Sequence, residues 1–85
     1  NYPNPFNPTT TINFDLPQHS RVSLVIYDIM GREVVSLFNK ELTAGYHSTV
    51  WNTRDNNGIP VSAGVYLYQL QTDGFIKTKK MVLLK

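Results

Sequence analysis

Eighty-five residues suffice for one small domain. At 41% hydrophobic and 16% charged the chain is too apolar for a disordered tail, and its apolar runs, such as Leu24 to Tyr27, reach only four residues, far short of a membrane span. The absence of cysteine excludes disulfide frameworks, thiolate zinc sites and cysteine nucleophiles, and leaves the redox compartment open.

The net charge of +2 is unevenly distributed. Lys77, Lys79, Lys80 and Lys85 place four of the eight basic residues in the last nine positions, which hold no acid, so residues 1–76 carry a net charge of −2. The pI of about 9.1 is therefore a property of the C-terminus. A nucleic-acid binder spreads its basic residues over a groove or a face, and none is expected as a partner here. The chain starts at Asn1 without a charged-then-apolar leader, and reads as a piece of a longer protein.

Residues 1–9 hold Pro3, Pro5 and Pro8, each fixing its own φ and biasing the preceding residue towards extended backbone. They predict a stiff lead-in, with a folded domain over 10–85. Beyond them, short alternating runs separated by turn residues predict strands. Thr10 to Leu16 places Ile12, Phe14 and Leu16 on one face. Arg21 to Asp28 is apolar on both faces and belongs centrally in a sheet. Met30-Gly31-Arg32 makes a tight turn with Gly31 at positive φ, and Glu33 to Phe38 returns. Tyr46 to Asn52 carries the only tryptophan, Trp51. After a loop from Thr53 to Gly58, Ile59 to Ser62 is a weak edge strand because it contains Pro60. Gly64 separates it from Val65 to Thr72. Asp73-Gly74 is a strong hairpin signal, and Phe75 to Leu84 is the last strand. Seven strands at this length predict an all-β, antiparallel immunoglobulin-like β-sandwich with Phe14, Leu24, Ile26, Trp51 and Leu67 in its core.

Catalytic chemistry has little to work with. His19 and His47 are the only imidazoles, and none of the serines at 20, 23, 36, 48 and 62 lies in a Gly-x-Ser-x-Gly turn. No enzyme activity and no cofactor are expected. Asp55, Asn57 and Gly58 imitate part of a calcium loop, but Thr53 fills the preceding ligand slot and Gly64 the slot of the closing glutamate, which favours a plain turn and no metal. Tyr46, Trp51, Tyr66 and Tyr68 could stack on sugar rings if exposed. Core packing of Trp51, with Tyr66 and Tyr68 half-buried beside Leu70, is the simpler expectation. The run from Lys77 to Lys85 reads either as an edge strand guarded by lysines or as a charged strand end that another protein grips.

Taken together, five segments resemble the C-terminal sorting domain (type A) of the type IX secretion system. They are Tyr2 to Pro8, Ile26 to Val34, Ala44 to His47 before Trp51, Ser62 to Tyr68, and Lys79 to Lys85. The resemblance implies a seven-stranded sandwich at the end of a secreted protein. Such a domain takes a covalently fused upstream cargo through the periplasm to the outer-membrane translocon and its shuttle proteins. A sortase-like cysteine protease then commonly removes it, leaving the cargo in the medium or on the cell surface. Lys77, Lys79, Lys80, Met81, Val82, Leu83, Leu84 and Lys85 would be the sorting signal, and Pro3, Asn4, Pro5, Gly31, Gly64 and Tyr66 the family's motif positions. The opening Asn4 to Thr10 is also similar to the immunoglobulin-like insert of flagellar hook-capping proteins, a structural assembly scaffold. A carbohydrate-binding sandwich is the other alternative. The sorting reading predicts a monomer.

Overall fold

The computed structural model describes residues 9–84. The expected lead-in, with Pro3, Asn4 and Pro5, therefore lies outside the described residues apart from Thr9, as does Lys85. Six strands are present in this region and no helix: β1 (Thr10–Leu16), β2 (Ser20–Asp28), β3 (Glu33–Leu42), β4 (Gly45–Trp51), β5 (Gly64–Gln71) and β6 (Ile76–Leu83). They form two antiparallel sheets, one of two strands in the order β1-β4 and one of four in the order β3-β2-β5-β6. The described residues accordingly contain no helix long and apolar enough to cross a membrane.

Six strands replace the seven expected from the sequence. Ile59 to Ser62 makes one isolated bridge, Pro60 to Arg54, and Val61 N–H donates to the Thr53 carbonyl. Pro60 has no N–H to continue a ladder, so the segment stays a loop. β3 runs four residues beyond the expected Phe38, because Asn39 to Leu42 pair with Ser20 to Ser23. The polar composition of Asn39-Lys40-Glu41 hides this extension. Arg21 holds it in place, donating from Nε to Asn39 Oδ1 at 3.0 Å and approaching Glu41 at 3.8 Å.

The central position expected for residues 21–28 is observed. β2 lies between β3 and β5 and buries Ser20, Val22, Leu24 and Ile26 on one face. Those residues meet Ile12 and Leu16 from β1, Trp51 from β4, Tyr66 and Leu70 from β5, and Leu83 from β6. Two ring contacts join the sheets: Phe14 stacks on Phe38 with centroids 6.1 Å apart, and Trp51 meets Tyr66 edge-on at 5.5 Å. One expected core residue is displaced. Leu67 lies opposite Tyr27 and Lys80 on the outer face, while Tyr66 and Leu70 of the same strand point inward. Alternation gives a strand one buried parity, and pairing of Leu70 with Leu24 selects the tyrosine-bearing one here.

The Gly31 turn is as anticipated, with φ at +83°. Gly31 N–H donates to the Asp28 carbonyl and Asp28 N–H to the Arg32 carbonyl, a three-residue hairpin loop whose last position requires left-handed backbone. The Asp28 carboxylate accepts from the N–H groups of Met30 and Arg32 and from Arg32 Nε, each at 2.9 Å. The backbone bond from Arg32 is the largest cause holding the Asp28 carboxyl below its usual 3.8, helped by the Arg32 guanidinium and opposed by partial desolvation. A depressed native pKa adds stability above 3.8 that disappears as pH falls through the folded value. Asp28→Asn should therefore lower the melting temperature at neutral pH, with the difference from wild type closing in acid below 3.8. Melting followed by circular dichroism across that range checks it.

Candidate functional site

The last strand, β6, forms one margin of the four-stranded sheet and among the described residues pairs only with β5, from Gly64↔Leu83 to Gln71↔Ile76 without a register shift. The Thr72-Asp73-Gly74-Phe75 hairpin that starts it is closed by a bond from Thr72 N–H to the Phe75 carbonyl. Register then assigns the side chains. Lys77, Lys79, Met81 and Leu83 lie opposite Leu70, Tyr68, Tyr66 and Gly64, on the face turned towards the small sheet. Ile76, Thr78, Lys80 and Val82 occupy the outer face.

Met81 and Leu83 are drawn into the core, Leu83 to 7% exposure. Lys77, Lys79 and Lys80 are exposed, and among the described residues none takes part in an ion pair. Within the expected signal, Met81 and Leu83 anchor the strand and Lys77, Lys79 and Lys80 present charge. Val82 and Leu84 stay exposed, at 60% and 79%.

Below Lys77 and Lys79 the sheets do not close. A cleft of about 280 Å³ runs between them, with Phe14, Tyr68, Leu70 and Phe75 as its apolar lining and Asp15 and Tyr46 at its rim. Asp15 makes no ion pair with either lysine. This cleft was not legible in the sequence, because it depends on β1 lying beside β5 and β6 across the sandwich.

The remaining motif positions have structural work. Tyr66 is buried, donates its hydroxyl to the Ser62 carbonyl at 2.6 Å and packs on Trp51. Desolvation, with a smaller contribution from the Asp28 charge, pushes the phenol above its ordinary 10.0. Gly64 has φ +151° at the entry to β5. Trp51 is fully buried and donates from Nε1 to the Arg54 carbonyl, so it presents no platform to a sugar.

The candidate catalytic and calcium residues are engaged elsewhere. His19 lies 3.4 Å from Glu41, and the His47 ring stacks on Phe14 while Nε2 bonds the Thr43 carbonyl at 2.7 Å. The Ser48 hydroxyl donates to Asn13 and that of Ser20 to the Gln18 carbonyl. Asp55 Oδ1 accepts the N–H groups of Asn57 and Ile59, which makes it the organiser of a turn.

Comparison with known proteins places this geometry. The sequence profile of the secretion system C-terminal sorting domain matches residues 1–84. The chain belongs to that family. The sorting domain is thus identified over nearly its whole length, and the family is that of C-terminal sorting signals for type IX secretion. Among solved structures it is similar to FlgD from P. aeruginosa, with 29% identity and a TM-score of 0.72 over 89% of this chain. It is also similar in fold to dimeric latent PorU from Porphyromonas gingivalis, with 24% identity and a TM-score of 0.73 over 98% of this chain. The sorting domain spans 60% of that FlgD chain and 9% of that PorU chain. No curated protein matches it.

Proposed function

We propose that this domain is a non-catalytic recognition module that directs a fused upstream cargo through the type IX secretion system, by way of the periplasm, to the cell surface or medium. The observation that carries the reading is the terminal strand. In a chain of the sorting-domain family, a regular marginal strand offers three exposed lysines with no ion pair among the described residues. Lys77 to Leu84, with Lys85, are the recognised segment. Gly31, Gly64 and Tyr66 keep the strand in place at a distance, with Pro3, Asn4 and Pro5 completing the family pattern. The partners in this reading are the outer-membrane translocon, its shuttle proteins and a sortase-like cysteine protease. The likeness to FlgD supports an immunoglobulin-like classification of the sandwich.

The likeness to FlgD also favours a second reading, an assembly scaffold. A scaffold needs a self-complementary surface, and the lysine-bearing margin opposes self-pairing because like charges would face each other.

The test fuses residues 1–85 to a fluorescent protein with a periplasmic leader, in a bacterium that carries a type IX system. Removing residues 77–85 should trap the fluorescence in the cell. Undiminished secretion by the truncated fusion would overturn the proposal.

A further inference from the structure

The two margins of the four-stranded sheet are treated differently by the rest of the chain. At β3, Asn56 behaves as a one-residue strand. Its N–H donates to the Val34 carbonyl at 3.0 Å, its Oδ1 accepts Ser36 N–H at 3.2 Å, and its Nδ2 donates to Glu33. Register shifts at Leu24/Val25 and Ile26/Tyr27 add irregularity to the same pairing. Bulges and covering loops of this kind blunt an edge against further pairing. Among the described residues, β6 has neither device over its eight paired residues.

The backbone groups that β6 leaves unpaired can be identified. Antiparallel pairs alternate between those that exchange hydrogen bonds and those that do not. The bond from Thr72 N–H to the Phe75 carbonyl fixes the phase, so Lys77, Lys79, Met81 and Leu83 bond to β5. Ile76, Thr78, Lys80 and Val82 then direct their N–H and C=O groups away from β5. This outward row is flanked on one face by Lys77 and Lys79, above the apolar cleft, and on the other by Ile76 and Val82, about 60% exposed.

We propose that β6 is a strand-addition site, and that its occupant is an extended segment of a partner protein in which acidic side chains alternate with β-branched apolar ones. This deepens the sorting reading and rests on it. The added strand takes its hydrogen bonds from the outward row. Its acids face Lys77 and Lys79 at the cleft mouth, and its apolar residues cover Ile76 and Val82. Main-chain bonds supply affinity in this mode, and alternate side chains supply selectivity. Charge decides among the possible occupants. A second copy of β6 would set lysine against lysine. Residues 1–8 contain three prolines and no acid, so they lack both regular donors and complementary charge. Among the described residues the margins of the small sheet are less suited, since β4 carries no lysine, arginine or acid and β1 carries only Asp15.

Amide exchange on the 15N-labelled 85-residue chain tests the proposal. In the free domain, Thr78 and Lys80 should exchange at least tenfold faster than Lys79 and Met81. An acetylated nine-residue peptide alternating glutamate and valine, at millimolar concentration, should slow Thr78 and Lys80 at least tenfold. A lysine–valine peptide, or a peptide of the same composition with its glutamates in one block, should not. Thr78→Pro removes one outward N–H while keeping every lysine and the backbone bonds to β5, losing only the bond from Gln69 Nε2 to the Thr78 hydroxyl, and should abolish the effect. Thr78 and Lys80 already protected in the free domain would overturn the proposal, with concentration-dependent protection identifying a second copy. So would an indifferent response to the alternating peptide. If Thr78→Pro fails to fold, the wild-type exchange pattern still decides. In the secretion assay, a folded Thr78→Pro domain that sorts normally, while neutralisation of Lys77, Lys79 and Lys80 stops secretion, sinks strand addition and spares the sorting reading. If neither change affects secretion, both strand addition and recognition of the lysines fail, and the removal of residues 77–85 alone decides the sorting reading.

Discussion

Replacing Lys77, Lys79 and Lys80 together with glutamine is expected to cut secretion of a fused reporter at least tenfold while leaving the domain folded. The two halves of this expectation have separate causes. All three side chains are exposed, and among the described residues none is ion-paired, so neutralising them breaks no salt bridge there. Surface changes away from structural features usually stay within about 0.5 kcal/mol. Recognition, by contrast, loses three of the four lysines of residues 77–85 at once, in a chain whose first 76 residues have a net charge of −2. Complementary charge chiefly speeds encounter and rejects wrong partners, and it is screened over roughly 8 Å at physiological salt. Single substitutions should therefore lose less than the triple, and a triple arginine variant should retain most of the secretion. Reporter fluorescence in the medium, beside a melting curve of each variant, measures both halves. Wild-type secretion by the triple glutamine domain would remove charge from the explanation of sorting.

Trp51→Ala is expected to destabilise the domain by about 3–5 kcal/mol, the usual cost of deleting a large buried aromatic. Trp51 is fully buried, it spans the sheets to Tyr66, and its indole N–H satisfies the Arg54 carbonyl. Truncation empties the centre of a small core and removes that carbonyl's indole donor. Small domains have only about 5–15 kcal/mol in total, so the variant should unfold at a far lower denaturant concentration or be unfolded outright. No disulfide is present to limit the loss, because the chain has no cysteine. Trp51→Phe keeps the ring and loses the hydrogen bond, and should fall in between. Equilibrium unfolding in urea separates the three. A midpoint for Trp51→Ala close to wild type would show that the residue is not the keystone its burial indicates.

On the proposed reading the same pair of experiments separates two roles. Trp51, with Gly31, Gly64 and Tyr66 of the family's motif positions, would act on stability and on the geometry that presents β6. The lysines would act at the surface that β6 presents. A defect in a Trp51 variant should therefore appear in melting and secretion together, whereas a lysine variant should show it in secretion alone.

Much of this arrangement is written in local sequence, because local physics controls it. Alternation placed five of the six strands close to where they occur, and Asp73-Gly74 and Gly31 located their hairpins, since a two- or three-residue turn imposes its backbone demands on its own residues. The uneven placement of lysine and acid is likewise a property of order along the chain, and it already singled out residues 77–85. What the sequence could not decide are the choices made between segments far apart. Leu67 and Tyr66 are equally able to face inward, and only the pairing of β5 with β2 under Trp51 buries the tyrosine. Ile59 to Ser62 has a strand's composition, but among the described residues it makes a single bridge, because Pro60 has no N–H to continue a ladder. Asn56 covers β3 from twenty or more residues away, and β1 opens a cleft beside lysines more than sixty residues later. Periodicity states which side chains share a face; the partner across the sandwich states which face is buried and which margin is left open.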